Sequence, residues 1–303
     1  MAYNEEYGRY VSIVEETLTA LLPEGGDVCP QDGSIPQHLR ESMRYSLLAG
    51  GKRVRPVLLL AAGEMLGVDT AEACVPAAAI EMIHTYSLIH DDLPGMDDDD
   101  YRRGRLTNHK VYGVGHAILA GDALLNYAYE CLLQHALSYP KNLEGHIRAV
   151  QIIANRAGVR GMIAGQSLDL LSEHMEPDAD RLAYIHAHKT ADLLTAPLLA
   201  AGCLAKADAE KMAALARFGS CMGLAFQIDD DLLDVEGDAQ LLGKQTGMDQ
   251  ARGKMTWPSL VGVEAAREKS HTLWLQAEEA IGCFGEDAWF LRAFASALAT
   301  RKK

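Results

Sequence analysis

The chain has 303 residues, of which 49% are hydrophobic and 23% charged, a composition typical of a globular protein with a sizeable apolar core. Its 28 lysines and arginines against 42 aspartates and glutamates give a formal net charge of −14, which argues against nucleic acid as a partner. The N-terminus has no basic region followed by an apolar core, and no apolar run reaches membrane-spanning length. We therefore expect neither a signal peptide nor membrane insertion. The six cysteines lack CxxC or zinc-like spacing, which favours a reducing compartment and a cytoplasmic protein.

Apolar residues recur at helical intervals along most of the chain, and no segment shows a convincing alternating strand pattern. With no internal repeat and no low-complexity linker, the pattern predicts a single all-α domain over residues 1–303. Loops are predicted at 23–36 and at about 236–256. The predicted helices cover about 3–22, a segment capped at Ser34–Pro36 and running through 48, one reaching 66, then 70–93, 115–137, 142–171, 178–205, 208–235, 257–281 and 286–301.

An acidic stretch begins near Leu93, where Pro94 and Gly95 should end the preceding helix. Six aspartates lie between positions 91 and 100, and arginines follow at 102, 103 and 105. Carboxylates packed this closely repel one another, so a folded site needs cations among them, whereas an ordinary acidic loop would simply be solvated. Forked guanidinium groups match phosphate oxygens. The combination suggests a metal-bridged diphosphate.

A second acidic cluster lies within an otherwise apolar helix. Gln227, Asp230, Asp231 and Asp234 are related as i, i+3, i+4 and i+7, so they share one helix face. A solvated helix face would have lysine or glutamate among its aspartates. This face has none, which favours a metal site. Asp229 makes a triple, and we choose the register beginning at Asp230 because it keeps the Asp-Asp-x-x-Asp spacing. In an antiparallel bundle the two acidic segments can face each other across a cavity, with Mg²⁺ between them.

Basic residues elsewhere suggest further contacts with anions. The segment Gly50–Pro56 could bind an anion or form an ordinary surface turn, and it lacks the ending of a P-loop. His84 shares a helix face with the first acidic stretch, although a lone histidine on an apolar helix is more often a core residue. Lys189, in an apolar segment, must snorkel, pair or bind a ligand. Lys244 and Lys254 lie in a loop that could close over a charged ligand or merely connect helices.

These segments, in this order, resemble the motifs of short-chain trans-isoprenyl diphosphate synthases of the bacterial farnesyl diphosphate synthase (geranyltranstransferase) type. The resemblance implies the isoprenoid synthase fold, a bundle of about ten or more mostly antiparallel helices around a central cavity, and a homodimer. The motifs cover nearly the whole chain: Gly-Gly-Lys-Arg-x-Arg-Pro at 50–56, Asp-Asp-x₄-Asp at 91–97 with the following Arg-Arg-Gly, Ile-Leu-Ala-Gly-Asp-Ala-Leu at 118–124, Gly-Gln-x-x-Asp at 165–169, Lys-Thr at 189–190 and Gln-x-x-Asp-Asp-x-x-Asp at 227–234.

The resemblance also implies a reaction and the residues that perform it. Isopentenyl diphosphate would condense with dimethylallyl diphosphate and then with geranyl diphosphate, after metal-triggered ionisation of the allylic substrate. Three Mg²⁺ ions would be held by Asp91, Asp92, Asp97, Asp230, Asp231 and Asp234. The allylic diphosphate would contact Arg102, Lys189, Gln227, Lys244 and Lys254. Isopentenyl diphosphate would contact Lys52, Arg55, His84 and Arg103. The allylic cation would be stabilised near Lys189, Thr190 and Gln227.

Product length depends on the residues before the first acidic motif. Tyr86 and Ser87 stand five and four residues before Asp91, about 6–7.5 Å back along the helix. In similar enzymes an aromatic residue here stops elongation at fifteen carbons, although Tyr86 could equally be ordinary core. Geranyl or geranylgeranyl diphosphate synthesis remains an alternative. A class I terpene cyclase would not need the Gly50–Pro56 segment, and a regulatory subunit of the same fold would be expected to lose an aspartate motif.

Overall fold

The computed structural model describes residues 2–31, 34–173, 175–236 and 254–300. The chain forms two compact units, Met1–Val150 and Gln151–Lys303. Helices dominate both, and within the described ranges strand structure is limited to one antiparallel two-stranded hairpin. The prediction of an all-α fold is confirmed, while a single domain over 1–303 stays a prediction. None of the described helices combines the length and apolarity needed to cross a membrane.

The first unit is built around one long buried helix. Its elements are α1 (Ala2–Leu21), α2 (Gln37–Leu47), α3 (Val54–Met65), α4 (Thr70–Asp91), β1 (Tyr101–Arg102), β2 (Arg105–Leu106), α5 (Asn108–Tyr112) and α6 (Val114–Leu137). The buried helix is α4, which packs against α1, α3 and α6. A Cβ on Gly121 of α6 would lie 2.2 Å from the Nε2 atom of His90 on α4, so only glycine permits this approach. The close contact fixes the end of α4 from which the acidic stretch begins.

The second unit depends on glycines at three helix crossings. After a 3₁₀ turn (Pro140–Asn142) and α7 (Leu143–Ala157), it comprises α8 (Met162–Ser172), α9 (Ala179–Ile185), a π-helical turn (His186–Ala191), α10 (Asp192–Leu204), α11 (Ala209–Glu236), α12 (Trp257–Val261), α13 (Val263–Ala280), a 3₁₀ segment (Gly282–Ala288) and α14 (Trp289–Ala299). A Cβ on Gly165 would lie 2.2 Å from the backbone nitrogen of Lys189, and one on Gly223 would lie 2.5 Å from the Ala191 Cα. A Cβ on Gly219 would meet Thr195 at 2.8 Å. Because Gly165 and Gly223 have no side chains, α8 and α11 pack directly against the backbone of the π-helical turn.

Two predicted helix spans were wrong. The segment predicted as one helix over 142–171 divides between α7 and α8, and in the turn between them the backbone passes so close to the preceding carbonyl oxygens that Gly158 and Gly161 leave no room for a Cβ. The span 257–281 divides at Gly262, whose φ of 86° is left-handed. The helix expected to be capped by Ser34 instead begins after Pro36, with no side-chain cap.

Candidate active site

The first acidic stretch folds into a tight loop directly after α4. Asp92 caps the helix, and the chain then reverses at Gly95, whose φ of 98° suits glycine. The reversal lets the Asp97 amide donate a hydrogen bond of 2.8 Å to the Asp91 carbonyl oxygen. The first and last aspartates of the motif are thereby brought together, and both are half-buried.

The middle aspartate of this motif is held by an arginine. Asp92 is only 3% exposed. Arg102 Nε donates to its Oδ1 and Oδ2 at 2.8 and 2.9 Å, and Arg102 Nη2 donates to Oδ1 at 2.6 Å. Burial raises the pKa of Asp92, and the charge of Arg102 acts in the opposite direction. The pair positions the motif from inside the protein. A metal contact for Asp92 and a diphosphate contact for Arg102 stay predictions.

The hairpin sends its two adjacent arginines to different places. Its turn consists of Arg103 and Gly104, whose φ angles are 53° and 74°. Positive φ at both central positions is the type I′ geometry that matches strand twist. Arg102, in β1, reaches the motif, whereas Arg103 Nη1 donates a hydrogen bond to the carbonyl oxygen of Gly50. The dipeptide Arg102-Arg103 therefore contacts both the acidic motif and the Gly50–Pro56 segment.

The other three aspartates maintain the loop itself. Lys110 Nζ lies 2.7 Å from Asp100 Oδ1, and Thr107 Oγ1 donates a 2.8 Å hydrogen bond to the Asp99 carbonyl. The Asp98 side chain is 62% exposed. Asp99 and Asp100 thus contact residues of the segment that follows the hairpin, whereas the Asp98 side chain lies mostly in solvent.

The Gly50–Pro56 segment offers donors without protein partners. Lys52 is exposed, and its carbonyl accepts a hydrogen bond from the Tyr7 hydroxyl. Among the described residues, none accepts a hydrogen bond from the buried Nε of Arg55. Burial lowers the pKa of Arg55 to about 10, and the charge of Glu81 opposes that shift. A buried guanidinium donor without a partner is a group that an anionic ligand can satisfy.

His84 belongs to the same positive cluster. Burial lowers its pKa well below the ordinary value, and the charges of Arg55 and Arg103 act in the same direction. Burial also lowers the pKa of Arg103. Positive groups that disfavour one another's charge are relieved when an anion binds among them. The structure thus brings Arg55, His84 and Arg103 together in the first unit, with Lys52 on the same loop.

An aromatic side chain lies behind the first motif. Tyr86 is 6% exposed, and its ring packs edge-on against His90 with 5.7 Å between the ring centroids. Burial raises the pKa of Tyr86 to about 12, so its phenol stays neutral. Ser87 Oγ donates a 2.9 Å hydrogen bond to the His84 carbonyl. A buried neutral ring therefore lies about one and a half turns before the first aspartate.

In the second unit, the predicted catalytic residues meet at the π-helical turn. Such turns are frequent at functional sites because the wider turn redirects side chains. Thr190 Oγ1 donates a 2.8 Å hydrogen bond to Gln227 Oε1. Lys189 Nζ forms an ion pair with Asp169 Oδ2, and Lys254 Nζ lies 3.8 Å from the same oxygen. Asp169 thus holds two of the lysines predicted to bind the allylic diphosphate, while Lys244 lies outside the described residues.

Asp231 is the counterpart of Asp92 in the second motif. It is 2% exposed, and both carboxylate oxygens accept hydrogen bonds from protein donors. Gln227 Nε2 donates to Oδ1 at 3.2 Å, and the Trp257 amide donates to Oδ2 at 3.0 Å. His186 Nε2 lies 3.6 Å from Oδ2. In each motif, therefore, the second aspartate is buried and bonded within the protein; a metal contact for Asp231 stays a prediction.

The first of the three consecutive aspartates of α11 is bonded to another helix. Asp229 accepts hydrogen bonds from Ser270 Oγ and, at 2.8 Å, from Trp274 Nε1, both on α13. Asp230 and Asp234 are half-buried and one helical turn apart. This division supports the register that begins at Asp230.

The donors of both motifs fit Mg²⁺. Asp91 with Asp97, and Asp230 with Asp234, supply hard carboxylate oxygens from half-buried positions. Within the described residues, no three histidine, cysteine, aspartate or glutamate side chains are gathered as a ready-made metal site. Mg²⁺ is usually bound by one or two carboxylates and completes its shell with water and substrate phosphate oxygens, so the carboxylate oxygens of these pairs are of the kind that it prefers.

Sequence reasoning missed three positioning features. The hairpin escaped because two-residue strands show no alternation, and only the Arg103-Gly104 dipeptide hinted at a turn. The π-helical turn has no recognisable signal in an apolar helical stretch. The burial of Arg53 was also missed, because the residue lies inside a basic motif in which the preceding Lys52 is exposed.

Comparison with known proteins agrees with this geometry. The model of the family described as polyprenyl synthetase matches residues 36–281. The chain belongs to the polyprenyl synthetase family. It is accordingly a trans-prenyltransferase, and the resemblance stated from the motifs is confirmed.

Relatives in this polyprenyl synthetase family carry names for more than one product. A chloroplastic geranylgeranyl pyrophosphate synthase 11 from Arabidopsis thaliana is 46% identical over 88% of this chain and 75% of the relative. A farnesyl diphosphate synthase from Geobacillus stearothermophilus is 47% identical over 77% of this chain and 78% of the relative. The crystal structure of an FPP/GFPP synthase from Zymomonas mobilis superposes with a TM-score of 0.86 at 32% identity, covering 99% of both chains.

Proposed function

We propose that this prenyltransferase is a (2E,6E)-farnesyl diphosphate synthase. It would condense isopentenyl diphosphate with dimethylallyl diphosphate and then with geranyl diphosphate. The buried Tyr86 ring, five residues before Asp91, carries the choice of product. A prenyl chain that grows away from the metal motif along α4 would meet this ring and stop. The named relatives include farnesyl and geranylgeranyl synthases at similar identity, so the proposal of a fifteen-carbon product rests on the Tyr86 side chain and not on those names.

The proposed cofactor is Mg²⁺, with three ions per site. The half-buried Asp91, Asp97, Asp230 and Asp234 would hold the ions, while Asp92 and Asp231 contribute by keeping each motif in place. When bound, Mg²⁺ would neutralise the charge of the departing allylic diphosphate.

The chain's own residues divide the remaining tasks. In the first unit, Lys52, Arg55 and Arg103 would bind the diphosphate of isopentenyl diphosphate, with His84 donating from its neutral form. In the second unit, Lys189 and Lys254 would be transferred from Asp169 to the allylic diphosphate, joined by Arg102 and Lys244. The oxygens of Thr190 and Gln227 would stabilise the allylic cation while the isopentenyl double bond attacks it. The proton then lost would pass to the released diphosphate.

The positive cluster of the first unit favours a synthase over a class I terpene cyclase. A cyclase binds one diphosphate, whereas Arg55, whose buried Nε finds no partner among the described residues, would form a further anion site with Arg103 and the neutral His84. The deciding experiment incubates the purified chain with Mg²⁺, isopentenyl diphosphate and dimethylallyl diphosphate, and separates the dephosphorylated products by chromatography.

We expect farnesol as the main dephosphorylated product and no turnover when Mg²⁺ is chelated. A main product of twenty carbons would replace the proposal with geranylgeranyl diphosphate synthesis, and one of ten carbons with geranyl diphosphate synthesis. Turnover of a single prenyl diphosphate without isopentenyl diphosphate would favour a cyclase. Complete inactivity would favour a regulatory subunit.

Replacing Tyr86 with alanine should lengthen the product to twenty carbons or more. The change removes the buried ring and opens space along α4. The matched control is Tyr86→Phe, which keeps the ring and should still yield fifteen carbons. Product chromatography of both variants checks this. An unchanged product distribution in Tyr86→Ala would remove Tyr86 from chain-length control.

We also propose a cytoplasmic homodimer. All six cysteines are free thiols, as suits a reducing compartment. On α6, Leu119, Leu133 and Leu137 expose apolar side chains that a second copy would cover. Sedimentation equilibrium of the purified chain should therefore give twice its mass, and a monomer would contradict the proposal.

A further inference from the structure

The basic loop of the first unit contains one arginine that faces inward. Arg53 lies between Lys52 and Arg55 in sequence, yet it is 2% exposed. Its φ of 48° and ψ of 38° are left-handed, a conformation that side-chain-bearing residues rarely adopt. A rare backbone conformation persists only where the surroundings hold it in place.

Three helices hold the Arg53 side chain. Its Nε donates to Glu15 Oε1 on α1 at 2.7 Å, and its Nη1 donates to Glu81 Oε1 on α4 at 2.8 Å. Its Nη2 donates to the carbonyl oxygen of Leu47, the last residue of α2, at 2.7 Å. All three nitrogens of the guanidinium are thus bound to protein groups. Arg53 therefore does not touch a ligand directly, and what it controls is the backbone that carries its neighbours.

The same loop is held at two further points. The Tyr7 hydroxyl donates to the carbonyl of Lys52, and Arg103 donates to the carbonyl of Gly50. Gly51 has a φ of 136°, and a Cβ there would lie 2.5 Å from Arg103 Nη1. The backbone on both sides of Lys52 is therefore fixed before any ligand binds, as a preorganised site requires.

The same contacts neutralise the charge of Arg53 but not the charges of Lys52 and Arg55. Arg53 faces two carboxylates, those of Glu15 and Glu81, so its charge is balanced inside the protein. Lys52 and Arg55 gain no such carboxylate contact among the ion pairs of the described residues, and the Arg55 Nε has no hydrogen-bond partner. Because Arg53 turns inward, the positive charges of Lys52 and Arg55 are available to an anionic ligand.

We infer that Arg53 is a positioning residue for the diphosphate of the homoallylic substrate, acting through the turn that presents Lys52 and Arg55. The inference rests on the proposed function, because it assumes that these two residues bind isopentenyl diphosphate. It adds Glu15 and Glu81, on α1 and α4, as the residues through which distant helices set the affinity for that substrate.

The test is Arg53→Lys in the full chain with Mg²⁺. Lysine keeps the charge but cannot reproduce the planar set of three hydrogen bonds that the guanidinium makes to Glu15, Glu81 and the Leu47 carbonyl. We expect the KM for isopentenyl diphosphate, at saturating geranyl diphosphate, to rise about tenfold, because binding is lost while the reaction centre is unchanged. The KM for geranyl diphosphate and kcat should each stay within about threefold. Glu15→Gln, which weakens the more exposed of the two ion pairs of Arg53, should raise the KM for isopentenyl diphosphate by about threefold.

The matched control is Arg9→Met, which removes another arginine that joins α1 to α3. Arg9 pairs with Glu64 at the exposed surface and has no hydrogen bond or ion pair with residues 50–56 among the described contacts, so both Michaelis constants should be unchanged. An Arg53→Lys enzyme with an unaltered KM for isopentenyl diphosphate would overturn the inference. So would equal rises in both constants accompanied by a lower Tm, since these indicate a general packing role. If Arg53→Lys does not fold, Glu15→Gln decides, and unchanged kinetics in that variant overturns the inference. Failure of the wild-type chain to use isopentenyl diphosphate would overturn the proposed function instead.

Discussion

Replacing Asp91 or Asp230 with asparagine should lower kcat by about 10²–10³-fold, the scale seen when one group that stabilises transition-state charge is removed. Asparagine keeps the size and an oxygen atom but loses the negative charge that holds Mg²⁺. The effect should fall on kcat, because charge on the departing diphosphate develops only as the allylic bond breaks. Both residues are half-buried and at the outer positions of their motifs, so the fold should persist.

The control for this experiment is Asp98→Asn. Asp98 belongs to the same acidic run, but its side chain is 62% exposed and lies outside the proposed metal set. Steady-state rates at saturating substrates, measured over a range of Mg²⁺ concentrations, should leave Asp98→Asn within about twofold of the wild type. Equal losses in all three variants would show a general dependence on loop charge. Full activity in Asp91→Asn and Asp230→Asn would remove both residues from the metal site.

Replacing Arg102 with methionine should cost about 3 kcal/mol in the free energy of unfolding, because breaking a buried ion pair leaves an uncompensated charge. The Asp92 side chain is 4% exposed and Arg102 is 31% exposed, so the lower end of the usual range applies. Burial already raises the pKa of Asp92, and Arg102 opposes that shift. Removing the arginine raises the pKa further.

The same change predicts a pH dependence with a definite sign. A carboxyl whose pKa is raised by folding binds protons more readily in the folded protein, so stability falls as the pH rises through the interval between the two pKa values. The loss caused by Arg102→Met should therefore be larger at pH 8 than at pH 5, as measured by urea unfolding.

The double variant Asp92→Asn/Arg102→Met should recover much of the lost stability, since it removes the unpaired charge. The adjacent Arg103→Met is the matched control, and it should cost less because Arg103 binds a carbonyl rather than a buried carboxylate. A loss in Arg102→Met that is the same at both pH values and is not recovered by the double variant would contradict this account.

The helical class and the two acidic motifs were predictable because they depend on local spacing. Asp230 and Asp234 share a helix face by periodicity alone, and α11 is continuous through both. Pro94 and Gly95 mark the end of α4 by their own backbone preferences. The break in the run from 142 to 171 was not predictable, since Gly158 and Gly161 are each tolerated inside a helix and sequence alone does not show that they form a turn.

The partners of the buried charges could not be predicted, because they depend on how distant segments pack. Arg53 meets Glu81 from 28 residues away, and Asp169 meets Lys189 from 20 residues away. Asp92 meets Arg102 only because the intervening loop reverses. Sequence spacing identified Asp92 and Asp231 as members of metal motifs, but only the hydrogen bonds show that both are enclosed by protein donors.

The two-residue turn at Arg103 and Gly104 restricts how this segment can change in length. A type I′ turn closes the hairpin with no spare residue, and the register of the strands follows from it. Inserting or deleting one residue would exchange the directions of the two arginines, taking one from the buried carboxylate of Asp92 and the other from the Gly50 carbonyl. Sequence variation between residues 101 and 106 should therefore be confined to substitutions.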